Sequence, residues 1–126
     1  MPKPDLLERV RRIALALPHT EESSRLGGSP HFYVHGKIFT GAGVEDGRWS
    51  FGAKVGLERQ AILVTRPGIR VAKYVGRYGW ISVDEAALAD EAELRALIEL
   101  SYELVAARLP AAKRIRKKVD KKKAKK

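Results

Sequence analysis

Leu6, Val10, Ile13, Ala14 and Leu17 fall on one face of a helix by their spacing, which turns Glu8, Arg9, Arg11 and Arg12 toward water. Asp5 followed by Glu8 has the form of a capping box, and Pro18 stops the helix because it bars the αR conformation at Leu17. From Ser23 to Lys54 the apolar period shortens to that of a strand, with breaks at Gly27-Gly28, His35-Gly36-Lys37 and Glu45-Asp46-Gly47. The pattern predicts an antiparallel meander with strands near 23–26, 31–35, 37–43 and 48–54. Residues 56–64 fit either a short helix or a buried strand, and the helix is preferred for the spacing of Leu57, Ala61 and Val64. Pro67-Gly68 turns the chain into Ile69–Val75, and a last strand follows at Trp80–Val83. Asp90 and Glu93 repeat the capping pattern, and Leu94, Leu97, Ile98, Ser101, Leu104 and Val105 trace a long helix that closes before Pro110. The fold class expected is α+β: an N-terminal helix, an antiparallel meander with a short inserted helix, and a long C-terminal helix packed on the sheet.

Composition bounds this picture. A chain of 126 residues, 44% hydrophobic, builds one core, placed at residues 1–110. There is no cysteine, hence no disulfide, thiolate ligand or cysteine nucleophile, and the longest apolar run, Ile13–Leu17, is far short of a membrane span. A cytoplasmic protein is the simplest expectation. The net charge is +10, but residues 113–126 hold eight lysines, two arginines and one aspartate, +9 of that total, leaving +1 for the rest. Residues 111–126 are therefore read as a lysine-rich tail with too little apolar surface to offset its ordering entropy, disordered when free. Within the domain, Arg25–Asp84 is moderately basic and Glu85–Arg108 acidic.

A second set of observations is the order of particular residues. Leu17-Pro18-His19-Thr20-Glu21-Glu22-Ser23, the Val34–Phe39 hairpin, the Pro67-Gly68 turn, Ala72-Lys73-Tyr74 leading to Gly79-Trp80, and Ser101–Val105 before Leu109-Pro110 resemble the MmcQ/YjbR family in order and spacing. The resemblance covers about residues 4–110 and departs from the family at His19, where a glycine is usual, and at Val71, where a proline is frequent. It implies a CyaY-like α+β fold and a DNA-binding role through winged hairpins.

Candidate chemistry points the same way. Lys113, Arg114, Arg116, Lys117, Lys118, Lys121, Lys122, Lys123, Lys125 and Lys126 would each release a counterion on meeting a phosphate, giving a salt slope approaching about −9 on duplex DNA. Such contact with a DNA or RNA backbone is sequence-independent, and a solvated, solubilising tail is the plain alternative. On the domain, Arg66, Arg70, Lys73 and Arg77 interleave with Tyr74 and Tyr78 as a candidate basic hairpin, though Tyr74 and Trp80 are also expected at the core or its edge. His31 and His35 share a helical metal spacing but lie in a strand, about 13 Å apart, so no metal or cofactor is expected. Gly41-Ala42-Gly43 lacks phosphate-loop spacing and reads as a hairpin needing close backbone approach or a bulge, and Glu21–Ser24 with His19 lacks a nucleophile elbow. Catalysis is not expected. The competing expectation is a non-catalytic pocket for a small ligand or protein partner between sheet and helices, lined by Tyr33, Arg48, Trp80 or Tyr102.

Overall fold

A computed structural model describes residues 4–25 and 27–107. Helix α1 (Leu6–Leu15) leads into strands β1 (Thr20–Ser23), β2 (His31–Val34), β3 (Lys37–Glu45) and β4 (Arg48–Lys54). Helix α2 (Leu57–Leu63), strand β5 (Ile69–Val71), a 3-10 turn (Gly76–Tyr78), strand β6 (Trp80–Asp84), a second 3-10 turn (Glu85–Ala87) and helix α3 (Glu91–Ala107) complete the chain. The six strands form one antiparallel sheet in the order β1-β2-β3-β4-β6-β5. The α+β arrangement expected from the pattern is the one observed.

The caps work as their residue types require. Asp5 Oδ1 accepts from Glu8 N at 2.8 Å, and Asp90 Oδ1 accepts from Glu93 N at 2.9 Å. Glu8 does not return the bond; its carboxylate is taken by Arg11 and Arg12. The arginines of α1 are likewise not simply solvated: Arg9 bridges Glu85 and Glu91, and Arg11 reaches Glu22, lacing α1 to the start of α3 and to β1.

The core lies between the helices and one face of the sheet. Leu6, Val10 and Ile13 from α1 and Leu94, Ile98 and Val105 from α3 meet Phe32, Val34, Phe39, Phe51, Ala53, Ile81 and Val83. At the β2–β3 pair the register shifts, with Phe32 opposite Thr40 and Tyr33 opposite Ile38, so Phe39 is the extra residue of a bulge. Phe39 turns inward and stacks edge-on against Tyr102 of α3 with ring centroids 5.4 Å apart. Fully buried Ser101 bridges the gap the bulge opens, donating to Phe39 O at 2.6 Å and accepting from Lys54 N at 2.7 Å.

Two expectations are corrected. The first strand runs 20–23 rather than 23–26, because Gly27 and Gly28 take positive φ (80° and 67°) and bend the chain before Pro30. Tyr74, expected at the core or its edge, is 93% exposed. Its φ of 71° swings the side chain off the end of β5.

Candidate nucleic-acid interface

The register leaves the second face of the sheet with small residues at its centre. Gly41, Gly52, Ser82 and Arg70 are successive cross-strand partners, joined at one end by His31 and followed along β3 and β4 by Gly43 and Ser50. The glycines there serve close approach. A Cβ on Gly41 would lie 2.6 Å from the His31 ring, and one on Gly43 would lie 2.8 Å from Ser29 Oγ. All helical packing falls on the other side, so no helix among the described residues covers this face.

The result is a shallow groove along the open face. Its central part, about 370 Å³, has Gly41, Gly52 and Ser82 as floor, with Ile38, Val71, Val75, Trp80, Arg70, Lys73, Glu45 and His31 as walls. One end continues past Gly43 and Ser50. The other, beyond Ile38, Val75 and Trp80, opens between Lys37, Lys54 and Tyr78.

The domain cations singled out from the sequence do not form one patch. Arg66 is drawn to the helical side, bidentate on Glu93 at 2.6 and 3.0 Å with a further bond to Ala87 O. The hydrogen bonds from Arg66, followed by the one from Ala89 N, hold the Glu93 carboxyl down at about 2 despite partial burial. Arg70 pairs with Asp84 at 2.9 Å and with Glu45 at 3.5 Å, and Arg48 meets the same Asp84. Both arginines, Arg70 foremost, keep the Asp84 carboxyl below its ordinary range. Lys73 approaches Glu45 at 3.4 Å but remains largely solvated. Arg77 meets no carboxylate among the described residues; its guanidinium lies over the Tyr78 ring at 4.9 Å and donates to the Tyr78 hydroxyl. Thus Arg70, Lys73 and Arg77 border the groove or its mouth, and Arg66 does not. Lys113, Arg114, Arg116, Lys117, Lys118, Lys121, Lys122, Lys123, Lys125 and Lys126 lie outside the described residues.

Charge differs by segment, and only partly by side, since Arg66 and the arginines of α1 lie with the helices while Glu45 lines the groove. Residues 31–84, the body of the sheet with α2, carry eight Lys/Arg against four Asp/Glu, whereas residues 85–107 carry six Asp/Glu against Arg95 alone. The acidic α3 packs on the covered face. The groove lies on the face opposite it, where Arg70 and Lys73 are offset by Glu45 and Asp84 and Lys37, Lys54 and Arg77 stand near the mouth.

Sequence reasoning did not find the groove. Tyr33, Arg48, Trp80 and Tyr102 do not share one cleft: Trp80 lines the groove, Arg48 is tied to Asp84, and Tyr102 donates to Pro18 O on the helical side. Tyr33 is buried, 3% exposed, beneath the guanidinium of Arg25 at 4.1 Å. Its hydroxyl and His31 Nδ1 are buried with no hydrogen-bond partner among the described residues. Native proteins keep such atoms few, at a cost of about 1–3 kcal/mol each. His31 and Tyr33 point to the same, open face, and of the two His31 lines the groove. His35 instead stacks on His19 with ring centroids 4.8 Å apart.

Fold and surface together define an α+β protein with a one-sided antiparallel sheet whose second face is open. The chain belongs to the YjbR family, whose model matches residues 15–104. Among solved structures it is similar to a Deinococcus radiodurans protein with a DUF419 domain, at 22% identity and a TM-score of 0.73 over 83% of this chain and 82% of that one. A Pseudomonas syringae protein is similar at 18% identity and a TM-score of 0.63 over 80% of this chain and 98% of that one. Among curated proteins none matches the sequence.

Proposed function

We propose that this protein binds nucleic acid without catalysis, holding a strand along the open face of the sheet while the lysine-rich C-terminal segment adds sequence-independent phosphate contacts. The observation that carries the reading is the pairing of exposed aromatics with cations at the groove mouth. Tyr78 is 52% exposed with Arg77 on its ring, and Lys37, Lys54 and Lys73 border the same groove. Planar rings beside ammonium and guanidinium groups suit unstacked bases and the phosphates joining them. Ion pairing of Arg66, Arg70 and Lys73 lowers what the domain itself supplies, so most of the affinity falls to the C-terminal cations. The reading fits a cytoplasmic protein, and no helix among the described residues is long and apolar enough to cross a membrane.

Titration of labelled single-stranded and duplex DNA at two salt concentrations tests it, with the full chain, Tyr78→Ala, and a chain ending at Ala112. Tyr78→Ala weakens single-strand binding by roughly five- to ten-fold, and loss of residues 113–126 weakens both substrates steeply. A full chain that binds neither at low salt would end the proposal. A second reading, a protein partner, draws on the exposed Leu57 and Ile62 of α2. It gains if DNA fails to bind while Ile62→Glu alters self-association or partner capture.

A further inference from the structure

We infer that the glycine-floored centre of the groove is a pocket for one nucleotide, free or within a single strand; this rests on the nucleic-acid reading and makes it selective for unpaired bases. Four observations converge on that chemistry. The floor is open at Gly52, where a Cβ would meet nothing nearer than Ile81 O at 3.8 Å, while the His31 ring covers its neighbour Gly41, so a planar ring can lie on the Gly52 backbone beside the imidazole. Trp80, Ile38, Val71 and Val75 wall it with apolar surface suited to the faces and edges of a heterocycle. Arg70 and Lys73 stand at the rim beside Glu45, which pairs with both, and a phosphate attached to that ring would emerge there in competition with this carboxylate.

The fourth observation is polar. His31 lines the pocket with Nδ1 buried and unpartnered, and the Tyr33 hydroxyl, buried and also unpartnered, belongs to the same strand face. A turn of the imidazole about its Cβ–Cγ bond would bring Nδ1 to the pocket, where a heterocycle carrying both donors and acceptors can pair with it. The volume, about 370 Å³, is at the small end of ligand pockets. It has room for one base with its sugar, whereas bases stacked inside a duplex cannot enter.

The test uses the full-length chain carrying Trp49→Phe, which leaves Trp80 as its single indole. Adenosine 5′-monophosphate and a labelled single-stranded 12-mer are titrated against Trp80 fluorescence and anisotropy. The blocking variant is Gly52→Val, because a Cβ there meets nothing nearer than Ile81 O at 3.8 Å and its backbone needs no positive φ. Ser82→Leu fills the same floor if that variant melts early. Saturable quenching by the mononucleotide that weakens at least ten-fold in either blocking variant, and several-fold in His31→Phe, is the expected result. Mononucleotide binding that survives both blocking variants overturns the pocket. If only the 12-mer binds and blocking weakens it ten-fold, the pocket holds and its ligand is a nucleotide of a strand. If the 12-mer binds equally to the blocked chains and the mononucleotide does not bind, the pocket fails while the nucleic-acid reading stands. If neither ligand binds the unblocked chain, both fall.

Discussion

His19 occupies the left-handed region at φ 64°, in the loop between α1 and β1. A Cβ residue there is strained by about 1–2 kcal/mol, and the stack on His35, itself at φ 49°, offsets part of it. His19→Gly is expected to stabilise the protein by about 1 kcal/mol, seen as a melting temperature several degrees higher; a lower one would show that the stack outweighs the backbone strain. Gly79 is the opposite case. It has φ 88°, and a Cβ would lie 2.7–2.9 Å from the Gly56 backbone, which its carbonyl also anchors by accepting from Val55 N and Gly56 N. Gly79→Ala should cost about 2–4 kcal/mol in denaturant midpoints. Neither need is visible in a residue's identity alone, since the φ at 19 and the approach of 79 to 56 come from how the flanking elements meet.

At the scale of elements, single side chains join helix to sheet. Ser101→Ala should cost about 2–4 kcal/mol, because it leaves both Phe39 O and Lys54 N unsatisfied at the bulge. A loss below about 1 kcal/mol would mean the strands close over the gap. The Arg66–Glu93 pair ties the end of α2 to the first turn of α3. Glu93, held at about 2 in the fold against an ordinary 4.5, adds stability that is present above about pH 4.5 and fades as pH falls toward 2. Because the pair is partly solvated, its worth is about 1–2 kcal/mol after screening. The gap between wild type and Glu93→Gln in urea midpoints should therefore be widest near neutrality and narrow through pH 4 to 2. A gap constant with pH would assign the loss to packing. Helix and strand periods and both capping aspartates were legible from residue spacing, whereas the first strand moved to 20–23 because two left-handed glycines bend the chain after it.

For the whole molecule, the governing feature is the concentration of cations in residues 113–126, +9 of the net +10, against an acidic α3 and a groove whose Arg70 and Lys73 are paired with carboxylates. That division predicts the salt response. The full chain should show a log–log slope on duplex DNA approaching about −9, and the chain ending at Ala112 about −2, from Lys37 and Arg77 at the groove mouth. Equal slopes would remove the C-terminal cations from the interface. Arg66, Arg70, Lys73 and Arg77 looked alike in the sequence. Their difference lies in partners 14 to 28 residues away or more locally in Tyr78, and no spacing rule reaches that far.

Sequence by itself determined the α+β class, the order of helices and strands, the caps and the neutral-domain, basic-tail division, because each depends on local periodicity, backbone preference or simple charge count. Tertiary structure alone decided which face of the sheet stays open, that Gly41 and Gly52 floor a groove there, that Tyr33 is buried under Arg25, and which cations remain available. Those outcomes depend on strand register and on the bulge at Phe39. Register brings distant residues face to face through the combined packing of the entire sheet.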